Sequence, residues 1–302
     1  MIKYNLKKIT GERIDIFIPE NASEIKLSQV IDFEFRLSNL AEKKDIESHE
    51  YIQGIAELLS DFLSVDFLEL DTYNSNESLI NSMVHLQEQI WNVIANAKPE
   101  LKTEGDSKFT YNGIDYYFPT IWKNETLHKV GYNSISLKQA IELLQVRHNF
   151  EKKVKALADN SSLPNFVYSK TLSEIAILLI KKDEEIPISE DDFEKWLSIR
   201  ISEFENIDYQ TSLNINHWIE SYMTSLRDDI ENFYFFDSDE KTTTEDAKNE
   251  MISKHKNKNI FEKIGYKSII PRAATYYNSI ETAMKSKFSD VVKLMSIENS
   301  KQ

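Results

Sequence analysis

One short pattern occurs twice in this chain and restricts its fold more than any other feature. Ile14-Asp15-Ile16-Phe17-Ile18-Pro19 returns one hundred positions later as Ile114-Asp115-Tyr116-Tyr117-Phe118-Pro119. Ile25-Lys26-Leu27-Ser28-Gln29-Val30-Ile31-Asp32 returns as Ile135-Ser136-Leu137-Lys138-Gln139-Ala140-Ile141-Glu142, now 110 positions on. Two blocks in the same order point to an internal duplication, with ten extra residues between the blocks of the second copy.

Each copy reads as a β-hairpin followed by a helix. Tyr4 to Ile9 and Arg13 to Ile18 flank Thr10-Gly11-Glu12, and Phe109 to Tyr111 and Ile114 to Phe118 flank Asn112-Gly113. Asn-Gly between apolar runs is a strong hairpin signal, because both residues tolerate the positive φ of a type I′ turn. Pro19 and Pro119 end the second strands by removing a ladder donor. The helices then open at Ser28 and near Ser136. A lone two-stranded hairpin is marginal, so each apolar face needs a cover, which the amphipathic helix supplies. The two hairpins either pair into one sheet or are each buried under helices.

The remainder reads as helical. Tyr51, Ile55, Leu58, Leu59 and Phe62 fall at helical spacing, as do Leu79, Met83, Leu86, Ile90, Val93 and Ile94 before Pro99. Lys98 to Ser107 reads as a linker. Thr171 with Glu174 reads as a capping box that starts a helix buried through Leu172, Ile175, Ala176 and Leu179. Ser189 with Asp192 starts another, with Phe193, Trp196, Leu197, Ile201 and Phe204 on one side. Ile215, Trp218, Ile219, Tyr222, Met223, Leu226, Ile230 and Phe233 form a third stripe. Asp237 to Glu250 has a single apolar residue and reads as a loop or linker. A final helix carries Ala273, Tyr276, Ile280, Ala283, Met284, Phe288, Val291 and Met295, and this stripe must dock on the body or on a partner. The expected fold class is therefore α+β and predominantly α-helical. It has two hairpin-plus-helix units with helical bundles and a C-terminal helix. The expected domains are 1–100, 105–236, a linker at 237–250 and a basic segment at 251–302.

Composition narrows the chemistry. Glycine and proline together are only 12 of 302 residues, which disfavours glycine-rich phosphate loops, and neither a P-loop nor a dinucleotide fingerprint is present. There is no cysteine, hence no disulfide, thiol nucleophile or thiolate metal site. The six histidines are never three or four residues apart, so no helical metal pair exists, and Gln53 stands where a His49-Glu50 zinc motif needs histidine. The formal net charge is −14, yet residues 251–302 carry ten basic and four acidic residues. The rest is therefore at −20, which repels polyphosphate and disfavours nucleic acid as a partner. The first nine residues have no signal-peptide h-region, and no stretch approaches 18 apolar residues, so a reducing, intracellular, non-membrane setting is expected.

The remaining constellations each have a functional and a structural reading. Asp15 and Asp115 are either a carboxylate pair across a sheet or outward strand residues. Asp183-Glu184-Glu185 and Glu190-Asp191-Asp192 are either cation ligands or a solvated connection with acids at a helix start. Phe233-Tyr234-Phe235-Phe236 is either a partner patch or the buried end of a helix. Lys254, Lys256 and Lys258 with Phe261 and Tyr266 are either a nucleic-acid arm or a solvated tail. No catalytic, cofactor or metal residue is assigned, and the chain reads as non-enzymatic.

The second half resembles the tail assembly chaperones of tailed bacteriophages. The resemblance rests on the strand Ile114 to Pro119, then Ile135-Ser136-Leu137-Lys138-Gln139 opening a helix. The Leu172 to Lys182 helix follows, with its acidic exit Asp183-Glu184-Glu185, then the Phe193 to Phe204 helix and the Trp218 segment. It covers residues 109–236, and more loosely 1–45 through the repeat. It implies a protein that binds phage tail or head–tail components during assembly in the host cytoplasm, with a homo-oligomer compatible and no cofactor. The chain is longer than most such chaperones, doubles the unit and adds a basic tail, so a virion component (ring, neck or packaged protein) is the alternative, and an unrecognised enzyme the second. The partner surface is expected on the final stripe, at Phe261, Tyr276, Ile280, Met284 and Phe288.

Overall fold

Alternation of apolar and polar residues builds the first hairpin. Strands β1 (Ile2–Lys7) and β2 (Arg13–Ile18) pair antiparallel, with Leu6 opposite Ile14, Tyr4 opposite Ile16 and Ile2 opposite Ile18. Apart from the exposed Ile2 at its end, this row faces inward, and Ile16 and Ile18 are buried. The opposite face carries Lys3 against Phe17 and Asn5 against Asp15. The computed structural model describes residues 1–8, 10–42, 48–67, 77–100, 108–117, 120–123, 126–129, 135–157, 159–181, 184–217, 219–220, 223, 269–288, 290–291 and 294. The 237–250 loop, the Phe233–Phe236 cluster, the Lys254–Lys258 run, Tyr266 and Phe261 lie outside them.

The chain divides into two units. The first comprises residues 1–100 and 206–214. After the hairpin come a single 3-10 turn at Ala22–Glu24 and helices α1 (Leu27–Glu42), α2 (Ser48–Leu63) and α3 (Glu77–Asn96). Their apolar stripes meet the inner face of the hairpin, where Ile16, Ile18, Val30, Phe33, Ile55, Leu59, Met83 and Ile90 form one core. Phe33 meets Phe62 edge-on with ring centroids 5.2 Å apart.

The second unit comprises residues 101–205 and 215–302. Asn112 and Gly113 both have positive φ, 49° and 77°, and form the two-residue turn between β3 (Lys108–Tyr111) and β4 (Ile114–Tyr117). Residues 120–129 form another hairpin, β5 (Thr120–Lys123) with β6 (Thr126–Lys129). Helices α4 (Leu137–Lys155) and α5 (Leu163–Leu178) follow. The chain then adds β7 (Ile180–Lys181) to the outer edge of β4, making a three-stranded sheet. Helix α6 (Glu190–Glu203) starts at Ser189, whose hydroxyl accepts from the Asp192 N–H at 3.2 Å. A helix over 209–217 (α7), of which residues 209–214 belong to the first unit, and α8 (Ile269–Tyr277) and α9 (Ile280–Lys285) complete the described elements. The protein is thus mostly helical with small antiparallel sheets.

Of the two arrangements left open for the hairpins, the structure has them in separate sheets. It departs from the sequence reading in three places. Thr171 and Glu174 do not start a helix. They lie inside α5, which begins eight residues earlier with Pro164 in its first turn, and Glu174 serves Arg147 and Lys170 instead. Residues 206–214, grouped by sequence with the second unit, belong to the first because they bond to the start of α1. Finally, the C-terminal stripe takes the first of its two expected placements and packs in the second unit, so Met284 and Phe288, expected at a partner surface, are buried together with Ala273, Ala283 and Val291. Of the third stripe, Ile215, Ile219 and Met223 are buried. No helix among the described residues is long and apolar enough to cross a membrane.

Candidate functional site

Both units are organised around the start of the helix that follows the hairpin. A helix start leaves backbone N–H groups without partners and a helix end leaves carbonyls, and a glutamine amide can serve one of each. In the first unit the Lys26 N–H donates to Gln29 Oε1 at 3.1 Å, while Gln29 Nε2 donates to the Phe62 carbonyl near the end of α2 at 3.1 Å. In the second unit the Ser136 N–H donates to Gln139 Oε1 at 3.1 Å, and Gln139 Nε2 donates to the Ile177 carbonyl near the end of α5 at 3.0 Å. Ser136 also returns a bond to the Gln139 N–H, closing a capping box.

A distant segment then clasps each helix start through a short β-bridge. The Leu27 N–H donates to the Ile207 carbonyl at 3.0 Å and the Tyr209 N–H to the Ile25 carbonyl at 2.7 Å. The Leu137 N–H donates to the Ser286 carbonyl at 2.9 Å and the Phe288 N–H to the Ile135 carbonyl at 2.9 Å. Three segments thus converge in each unit in the same order of contacts.

Beside the second junction lies a cleft of about 310 Å³. Ile180, Ile186, Ile188 and Met284 supply its apolar lining, and Ser136, Lys138, Glu184, Glu185, Lys285 and Lys287 its polar one. Most of these charges are already balanced. Lys138, 3% exposed, sits 2.8 Å from Glu142 and 4.3 Å above the Phe193 ring. Glu184 accepts from the Lys181 N–H at 2.7 Å and from Trp196 Nε1 at 2.8 Å. Lys285 lies 3.1 Å from Glu185 and 3.2 Å from Glu281, and these bonds, Glu185 first, raise its pKa.

Behind the cleft, Arg200 on α6 is almost wholly buried. It donates to Glu203 and to the Leu179 carbonyl, and its guanidinium faces the rings of Tyr116 at 4.7 Å and Phe204 at 5.3 Å. Burial pushes the Glu203 carboxyl up, but the Lys181 hydrogen bond and the Arg200 charge outweigh it and hold the pKa below the ordinary value. Burial, then the Glu203 charge, raises the pKa of the Tyr116 phenol, which donates to Glu203 at 3.1 Å. Further along α4, Arg147 bridges Glu174 at 2.6 Å and Glu220 at 2.6 Å. Such mutual neutralisation fixes side chains in place, an arrangement suited to holding a surface in one shape.

The residues singled out by sequence are dispersed. Asp15 accepts from Asn5 at 2.9 Å and Asp115 from Thr110 at 2.7 Å, each from its own cross-strand neighbour and in its own sheet. Glu184 and Glu185 face Trp196 and Lys285, and no group of three or more potential metal ligands occurs among the described residues. Ile280 is 56% exposed and Tyr276 half-buried, whereas Met284 and Phe288 are buried within the second unit. Sequence reasoning missed the tertiary bonds of Gln29 and Gln139 and the position of Arg200. The recurrence of glutamine at the same place in both blocks was the available signal for the first two, and nothing local marked the third. No family model, curated protein or solved structure matches this chain.

Proposed function

We propose that the chain is a non-enzymatic assembly factor that binds structural proteins of a tailed bacteriophage, as the chaperones that its second half resembles do. The doubled junction carries this reading. One set of bonds about an Ile-x-Leu-x-Gln helix start occurs in both units, as expected of two copies of one hairpin-plus-helix module. Two copies of a small module offer two related surfaces to a partner. Charges paired with one another favour a fixed surface over proton transfer.

The test is co-expression with tail-tube, tape-measure and portal subunits, followed by size-exclusion chromatography with light scattering. A stable complex that keeps at least one subunit from self-assembling is expected; no complex with any of them overturns the reading. Mass spectrometry of purified particles then separates the two phage roles, since a chaperone leaves and a virion component stays at stoichiometric copy number.

A further inference from the structure

We infer that the outer edge of β2 accepts an extended segment of a partner protein, which adds to the first unit as a third strand antiparallel to β2. The inference rests on the reading of the two units as copies within a protein that binds other proteins.

The second unit shows how this edge is used. There β7 lies on β4, with Ile180 opposite Tyr117 and Lys181 opposite Tyr116. The sheet of the first unit contains only β1 and β2, and no strand among the described residues occupies the β2 edge. The register identifies the waiting backbone groups. The Lys8 N–H bonds to the Glu12 carbonyl at 2.7 Å, so the pairs two and four positions further on, Leu6–Ile14 and Tyr4–Ile16, bond within the hairpin. Asp15 and Phe17 therefore turn their N–H and C=O groups outward, and by the repeat Phe17 corresponds to Tyr117, the residue that faces Ile180.

The side chains specify the occupant. Phe17 is 53% exposed, whereas Tyr117, beside β7, is half-buried. An exposed aromatic ring on an open strand edge invites pairing. Arg13 shares the outer face with Phe17, is exposed, and has no ion-pair partner among the described residues. A strand antiparallel to β2 places the residue opposite Arg13 four positions after the one opposite Phe17, on the same face. The fitting segment thus has an aliphatic residue against Phe17, as Ile180 is against Tyr117, and a carboxylate four residues later against Arg13.

The probe is a synthetic heptapeptide with isoleucine second and glutamate sixth among threonines, titrated into the full isotope-labelled chain. Saturable shifts at the Asp15 and Phe17 amides are expected. Phe17→Pro, which removes an outward N–H and no bond to β1, should abolish the shift at the Asp15 amide. Arg13→Glu should weaken binding about tenfold, and a peptide with lysine in place of glutamate should recover it. Absence of shifts at these amides, or insensitivity to the charge exchange, overturns the inference. A complex with a phage subunit that survives Phe17→Pro overturns it while sparing the proposed function. Peptide addition without any subunit complex overturns the function alone. A dimer abolished by Phe17→Pro would assign the edge to a second copy of this chain and overturn the partner assignment.

Discussion

Gln139 shows how much one side chain can hold. Its amide ties the Ser136 N–H to the Ile177 carbonyl, linking the start of α4 to the end of α5, and the residue is only 4% exposed. Gln139→Ala leaves both backbone groups unsatisfied away from water, and a loss of about 2 kcal/mol in urea unfolding is expected. Gln29 makes the same bonds but is half-buried, so water replaces part of what Gln29→Ala removes, and about half that loss is expected. Equal losses would show that burial does not distinguish the two junctions. At the hairpin surface, Lys3 and then Asn5 hold the Asp15 carboxyl below the ordinary carboxylate range. A depressed folded pKa contributes stability above the unfolded value and loses it as pH falls through the folded one. Asp15→Asn should therefore weaken the protein at neutral pH and flatten the acid limb below about pH 4, read as the unfolding midpoint against pH. Both residues were visible in the sequence as repeated positions. What each bonds to was not, because the partners lie far away in sequence or across a strand.

The elements that the sequence announces are those with local causes. Asn112-Gly113 specifies its turn through backbone conformation alone: Gly113 has φ 77° and open space where a Cβ would stand. Gly113→Ala should thus cost about 1 kcal/mol through the left-handed penalty without any clash, measurable as a lowered melting temperature. Gly54 is the opposite case. Its conformation is helical, and a Cβ would stand 2.5 Å from a methyl carbon of Leu40, so it marks close approach of α1 and α2. Ser189 was legible too, since a serine three residues before a carboxylate is a local signal, and its cap is present in α6. The start of α5 was misplaced because Thr171 and Glu174 satisfy the capping pattern by composition, while Pro164, seven residues before Thr171, sets the real first turn. Strand β7 escaped notice for a different reason. Two residues give no period, and Ile180-Lys181 becomes a strand only because the edge of β4 lies beside it.

At the scale of the molecule, the clasps decide which segments belong together. Sequence places residues 206–214 beside their neighbours in the chain, but Ile207 and Tyr209 bond to the start of α1, and that contact assigns them to the first unit. Ser286 and Phe288 do the same for α4, so the C-terminal stripe serves as the second unit's own cover. A chain ending at residue 268 loses the buried side chains of Ala273, Ala283, Met284, Phe288 and Val291 and strips the Leu137 N–H and Ile135 carbonyl of their partners. Burial of a single phenylalanine is worth about 3–5 kcal/mol when truncated to alanine, so this loss is large against the stability of an ordinary domain. Amide hydrogen exchange should accelerate at least a hundredfold across 137–144 and stay unchanged across 27–33, whose clasp at 207–209 is intact (about 3 kcal/mol of local stability by the usual conversion). Acceleration in both segments would show that the two units do not unfold independently, and acceleration in neither would show that the clasp is dispensable. The same reasoning decides how partner binding is to be probed at this end of the chain. Loss of binding on truncation would report the second unit's stability, so a surface role for the C-terminal stripe is tested by Ile280→Glu, which alters an exposed side chain and leaves Met284 and Phe288 in the core.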